Sequence, residues 1–244
     1  MMISRCLLAG CLFLTVAGAG AANAASNPNA EPAAPEAVDP AETLVNEAAD
    51  LIDQKRPAEA LPLLEKAIAL EEQSYAGEQR QIFSSRSTTE TLFYTLRGTT
   101  SKKDTIVIGP NWGTAEFLKG FVLIDLGRSD EAKPHFEKAI ALSPMNGQYL
   151  GELGEWYKMR KDWEQAYDLF ERASSAADFA PDDESKSFER RRGLRGMGFV
   201  LIEQGKLDKA EKAFRECLEI DPSDAGAQNE LAYIKAQRAK ATTY

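Results

Sequence analysis

Four times along this chain the same three residues recur at helical spacing. An alanine is followed four places later by a bulky apolar residue and three places after that by a small one. The sets are Ala60-Leu64-Ala67, Ala132-Phe136-Ala139, Ala166-Phe170-Ala173 and Ala210-Phe214-Cys217. Steps of four and three keep all three side chains on one face of a helix. Upstream of each set runs a second amphipathic stretch with a small residue at a constant offset: Ala48, Gly120, Gly154 and Gly198. Leu51, Leu123, Tyr157 and Leu201 follow these three places later. Each segment therefore reads as two helices held close by small residues, with bulky residues filling the gaps beside them. Such a pair cannot bury its apolar face alone, so the units must stack.

Ala132 and Ala166 stand 34 residues apart. The third unit carries Leu153-Gly154-x-x-Tyr157, then Trp163 and Ala166-x-x-x-Phe170; the fourth carries Met197-Gly198-x-x-Leu201, Gly205, Ala210-x-x-x-Phe214 and Asp221-Pro222. On these residues the chain resembles the tetratricopeptide repeat (TPR) family, whose unit is a helix–turn–helix of about 34 residues. The resemblance implies a mainly all-α helix–turn–helix solenoid over 39–240. Its units fall at about 41–72, 113–146, 147–180 and 191–224, with a polar capping helix over 225–238.

Two stretches depart from the repeat. The insert 73–112 is too long for a turn. Within it, Gln81–Ser85 and Asp104–Ile108 read as short strands, with Gly109-Pro110 ending the second. Between them Ser87-Thr88-Thr89-Glu90 is a capping box that opens a short helix. A strand–helix–strand flap is the expectation, with Ile82, Phe83 and Ile106 covering the helix 113–126, which is apolar on both faces. The second departure is an extended first helix in unit four, begun by Pro181-Asp182-Asp183-Glu184 and carrying Lys186, Arg190, Arg191, Arg192 and Arg195. Glu184 and Glu189 are the expected partners of these bases. Pro62 and Pro134 fall inside second helices, where each removes a backbone hydrogen bond.

The first two dozen residues read as an address. An apolar run from Cys6 to about Val16, then small residues ending Ala22-Asn23-Ala24, fits an export signal spanning 1–24, with the mature chain starting at Ala25. The run falls short of the roughly 20 apolar residues that span a bilayer. The alternative is a lipoprotein box, Leu8-Ala9-Gly10-Cys11, anchoring the chain through Cys11. Residues 25–38, rich in Ala, Pro and Glu, read as a disordered linker. Export with such a signal suggests the bacterial periplasm. Cys217, alone in the mature chain, occupies a repeat position held elsewhere by Ala and reads as a buried packing residue.

With 29 basic against 38 acidic residues the net charge is −9, which argues against nucleic acid as a partner. A single His, no phosphate-cradling Gly-rich loop after a strand and no metal-ligand Cys/His spacing leave catalysis, cofactor and metal without support. An enzyme with its site in the 73–112 insert is the weakest alternative. The family resemblance implies instead that the first helices line a groove for a peptide or partner helix. On that face fall Phe117, Phe121 and Ile124 from unit two, Gln148, Glu155 and Lys158 from unit three, and Arg192, Arg195 and Phe199 from unit four. The expected function is a non-catalytic interaction scaffold of the cell envelope, binding through a groove that is apolar at one end and basic at the other. Envelope assembly as a Cys11-anchored lipoprotein is the alternative.

Overall fold

A computed structural model of the chain describes residues 39–101 and 103–241. The export-signal reading, Cys11 and the linker lie outside those residues. Helices α1 (Pro40–Asp53) and α2 (Pro57–Ser74) form the first pair. The insert follows as β1 (Gln81–Ser84), α3 (Thr88–Ser101) and β2 (Thr105–Ile108). The pairs α4 (Asn111–Asp125) with α5 (Ser129–Leu142), α6 (Gly147–Met159) with α7 (Trp163–Ala176), and α8 (Asp183–Glu203) with α9 (Leu207–Ile220) come next, and α10 (Ala225–Ala241) closes the stack. One 3₁₀ turn, Ala177–Phe179, links α7 to the approach of α8.

The twelve residues of the recurring alanine pattern are all buried, Cys217 among them. Burial pushes the Cys217 thiol up to about 12, which suits an inert packing residue. The small residues of the first helices do the job their spacing suggests. A Cβ placed at Gly120 would sit 2.6 Å from the Phe136 ring, and one at Gly198 would sit 2.5 Å from the ring of Phe214. Close helix approach and aromatic filling are thus one device, repeated.

The turn between the two helices of each unit repeats as well. Lys55, Gly127, Lys161 and Gly205 all adopt positive φ, at 61°, 75°, 60° and 71°. In every case the next residue donates its N–H back to a carbonyl five positions upstream: Arg56 to Leu51, Arg128 to Leu123, Asp162 to Tyr157 and Lys206 to Leu201. This is the Schellman ending of a helix, which glycine adopts without steric cost. Two of the four turns use lysine instead.

The insert is a right-sized parallel crossover, β1 pairing β2 in register from Gln81 opposite Thr105 to Ser84 opposite Ile108. The Ser87 hydroxyl accepts from the Glu90 N–H at 3.1 Å, as a cap should. The Glu90 carboxylate, however, takes the N–H of Arg86 at 2.7 Å rather than that of Ser87, because the Arg86 guanidinium draws it there. The insert does not provide the main cover for α4. Phe83 is spent on the insert's own core, stacked on Tyr94 at 4.9 Å. The second apolar face of α4 is covered instead by unit one: Val45, Ile52, Leu64 and Ile68 join Leu118, Val122 and Leu123 in one cluster. Units one and two stack directly, and the intervening segment is looped out to an edge.

There three contacts tie it to two connections of the solenoid, α5–α6 and α7–α8. Ser143 donates its hydroxyl to the Ser84 carbonyl at 2.7 Å, Tyr94 accepts from the Met145 N–H at 3.1 Å, and Phe93 packs on Phe179 at 4.7 Å.

Candidate functional site

The expected contact residues on the first helices α4, α6 and α8 are half-buried at the surface. Phe117 is the exception. It is 2% exposed, stacked on Tyr149 with centroids 4.6 Å apart and 6.1 Å from Phe136. The space between α4 and its neighbours takes its ring, so Phe117 belongs to the core and not to a groove wall. Phe121 and Ile124 remain half-buried at the edge of that core, with apolar surface still open to a ligand.

On α6, Lys158 pairs with Glu155 at 2.5 Å, an i, i+3 contact. The same ammonium stands 4.8 Å above the ring of Phe199 on α8. A cation over an aromatic face is held by the ring quadrupole. Glu155, Lys158 and Phe199 thus form one half-exposed cluster bridging two units, with Trp163 6.4 Å from Phe199 on its flank. Gln148 lies half-buried in the first turn of the same helix.

The arginines are already partnered. Arg192 pairs with Glu152 at 2.7 Å. Burial works against its charge, and Glu152 with Glu155 more than offsets this, so its pKa is raised. Arg195 pairs with Asp224, and Arg191 bridges Asp221 and Asp224 at 2.8 and 2.9 Å. Lys186 and Arg190 share Asp178 at 2.8 and 2.7 Å. The partners expected from neighbouring sequence, Glu184 and Glu189, are not the ones used. On a straight 21-residue helix the arginines fan out around the axis and meet acids from other elements. Glu189 is taken by Arg86 of the insert at 2.5 Å.

Asp224 has a double role, since it also accepts from the Ala227 N–H at 2.9 Å and so caps α10. The basic end of the groove is therefore largely neutralised within the chain. An incoming carboxylate would have to displace an existing acid.

Sequence reasoning passes over Glu152, Asp224 and Glu230. Glu152 and Arg192 sit on different units, and no local spacing joins them. Glu230 on α10 faces Lys158 across the cluster, and burial pushes its carboxyl up against that attraction. Nearby Tyr233 on the same helix is 46% exposed. Among the described residues no group of three or more His, Cys, Asp or Glu could hold a metal ion, and no helix is long and apolar enough to cross a membrane.

Comparison with known proteins fits this architecture. Two tetratricopeptide repeat family models match, over residues 146–223 and 117–146. A curated relative is anaphase-promoting complex subunit 3 of Schizosaccharomyces pombe, 28% identical over 141 residues. That match covers 58% of this chain, and the chain spans only 20% of the relative's length. Among solved structures, one from a functional characterization of Pseudomonas aeruginosa pilF superposes with a TM-score of 0.58 at 16% identity, covering 82% of this chain and 69% of that one. MamA 41-end from Desulfovibrio magneticus RS-1 gives 0.55 at 16% identity, covering 84% and 89%. A putative Podosopora anserina kinesin light chain with nearly identical TPR-like repeats gives 0.54 at 16%, covering 84% and 92%. The class is a helical repeat solenoid, a fold that serves as a protein–protein interaction scaffold and is in general non-catalytic. Residues 117–223 carry tetratricopeptide repeats, and the helix pairs on either side continue the same stack.

Proposed function

We propose that this chain is a non-catalytic adaptor of the cell envelope that holds a peptide or partner helix against the face made by α4, α6, α8 and α10. The observation that carries the reading is the Glu155–Lys158–Phe199 cluster. It offers an aromatic face, a cation and a carboxylate together at the junction of two units, while Phe121 and Ile124 on α4 keep apolar surface open. Such a surface suits a mixed peptide, apolar at one end and able to hydrogen-bond at the other. A purely acidic peptide suits it less well, because Arg192 and Arg195 are already paired. The name of the relative in a multi-subunit complex supports assembly work of this kind. Placement outside the cytoplasm rests on the 1–24 segment alone; attachment through Cys11 is the second reading.

A photo-crosslinking amino acid at Phe121, Phe199 or, as a control on the opposite face, Lys212 tests the groove in cells. Adducts from the first two positions and none from Lys212 are expected. Adducts equal at all three, or absent from Phe121 and Phe199, would overturn it. Mass spectrometry of the mature N-terminus separates a free Ala25 from an acylated Cys11.

A further inference from the structure

The insert carries a surface that the proposed groove leaves unused. Leu92 and Leu96 on α3 are 69% and 61% exposed, more than any other large apolar residue described. They are not isolated. Thr88, Thr89, Thr99 and Thr100 are exposed beside them, and at 100° per residue these six fall within one third of the helix circumference. The hydroxyls of Thr99 and Thr100 donate to the carbonyls of Thr95 and Leu96, one turn back, at 3.2 and 2.9 Å. That turns polar groups away from the outward face. In a chain with 27% charged residues, this face has none.

The arrangement is also symmetric. Read from either end, the face has the same residues at the same distance from Tyr94: Leu92 and Leu96, Thr89 and Thr99, Thr88 and Thr100. A twofold contact requires a surface that complements itself. Two α3 helices packed antiparallel about Tyr94 would set each Leu92 beside the other copy's Leu96, with Thr88 by Thr99 along one border of the face and Thr89 by Thr100 along the other. The net charge of −9 repels copies at long range, and an uncharged face is where that repulsion costs least.

We infer that the outer face of α3 is an interface between two copies of this chain, formed isologously by Leu92 and Leu96. A helix of 14 residues offers less than the roughly 1,200 Å² of total buried area that marks stable dimers. The dimer is accordingly weak and concentration-dependent.

Sedimentation equilibrium of the full chain under reducing conditions, from about 10 to about 500 μM as befits a small interface, tests this. The weight-average mass is expected to climb from one chain towards two. Leu92→Glu with Leu96→Glu, both on exposed positions, should hold the mass at one chain while leaving the thermal transition unchanged. Tyr233→Glu, an exposed apolar position on α10, should leave association as it is. A chain monomeric throughout would overturn the inference. So would association that survives the double substitution, or that Tyr233→Glu removes equally well.

Discussion

The Phe170 ring occupies the space that a side chain at Gly154 would take: a Cβ there would lie 2.8 Å from the ring. Gly196 of the next unit approaches the same ring more closely still, so Phe170 is gripped by glycines from α6 and α8. Gly154→Ala forces the ring against α8 or α7 apart from α6. Overpacking of this sort costs about 1–3 kcal/mol. Gly77→Ala, where a Cβ meets nothing within 4 Å, should be near neutral. Urea unfolding of the two variants reads the difference.

Lysine at a left-handed turn position is strained, since a Cβ crowds the neighbouring carbonyl there. Lys161 sits at φ 60° in the position that Gly127 and Gly205 fill in units two and four. Lys161→Gly should therefore raise stability by up to about 1 kcal/mol, the relief of strain exceeding the added chain entropy of the unfolded state. Lys55→Gly should do the same. A lower thermal midpoint in both variants would show that the lysine stems hold contacts worth more than the strain.

The repeat core was legible because its information is local. An alanine, a bulky residue and a small residue at fixed helical steps specify one helix face, and recurrence specifies the stacking. The two strands and the helix of the insert were legible for the same reason. What escaped was pairing across units. Arg192 with Glu152, Arg191 with Asp224 and Arg86 with Glu189 join residues far apart in sequence, and which acid an arginine meets depends on how far one helix is rotated against another. The family resemblance implies a groove position for Phe117, although the narrow space beside Tyr149 claims it. The looping-out of 73–112 likewise became visible only once Leu64 and Ile68 were seen packed with Leu118.

Arg86 serves two buried carboxylates, Glu90 at 2.9 Å and Glu189 at 2.5 Å. Both acids are almost fully buried, and one Glu189 oxygen, Oε2, has no hydrogen-bond partner. Burial pushes the Glu90 carboxyl up even with the arginine present. Arg86→Met would leave the two acids facing each other without a cation, a loss of about 3–5 kcal/mol at neutral pH. Glu189→Gln leaves Arg86 paired with Glu90 and should cost less. Chemical denaturation at pH 7 should rank the wild type first, Glu189→Gln second and Arg86→Met last. Limited proteolysis should find the insert opened first in the arginine variant.

Glu71 supplies a pH dependence of known sign. It lies buried on α2 near Asp39, and burial, with the Asp39 charge second, pushes its carboxyl up from 4.5 to about 7. An acid whose folded pKa is raised binds its proton more tightly in the native state than in the unfolded one. Its contribution to stability is therefore flat below about pH 4.5, declines as pH rises to about 7, and levels off above. The full span corresponds to at most about 3 kcal/mol. Glu71→Gln keeps the shape and removes the charge. The variant should match the wild type near pH 4 and be more stable than it at pH 8. Denaturation at those two pH values decides the matter: an equal gap between the proteins at both would mean that folding leaves the Glu71 carboxyl unshifted.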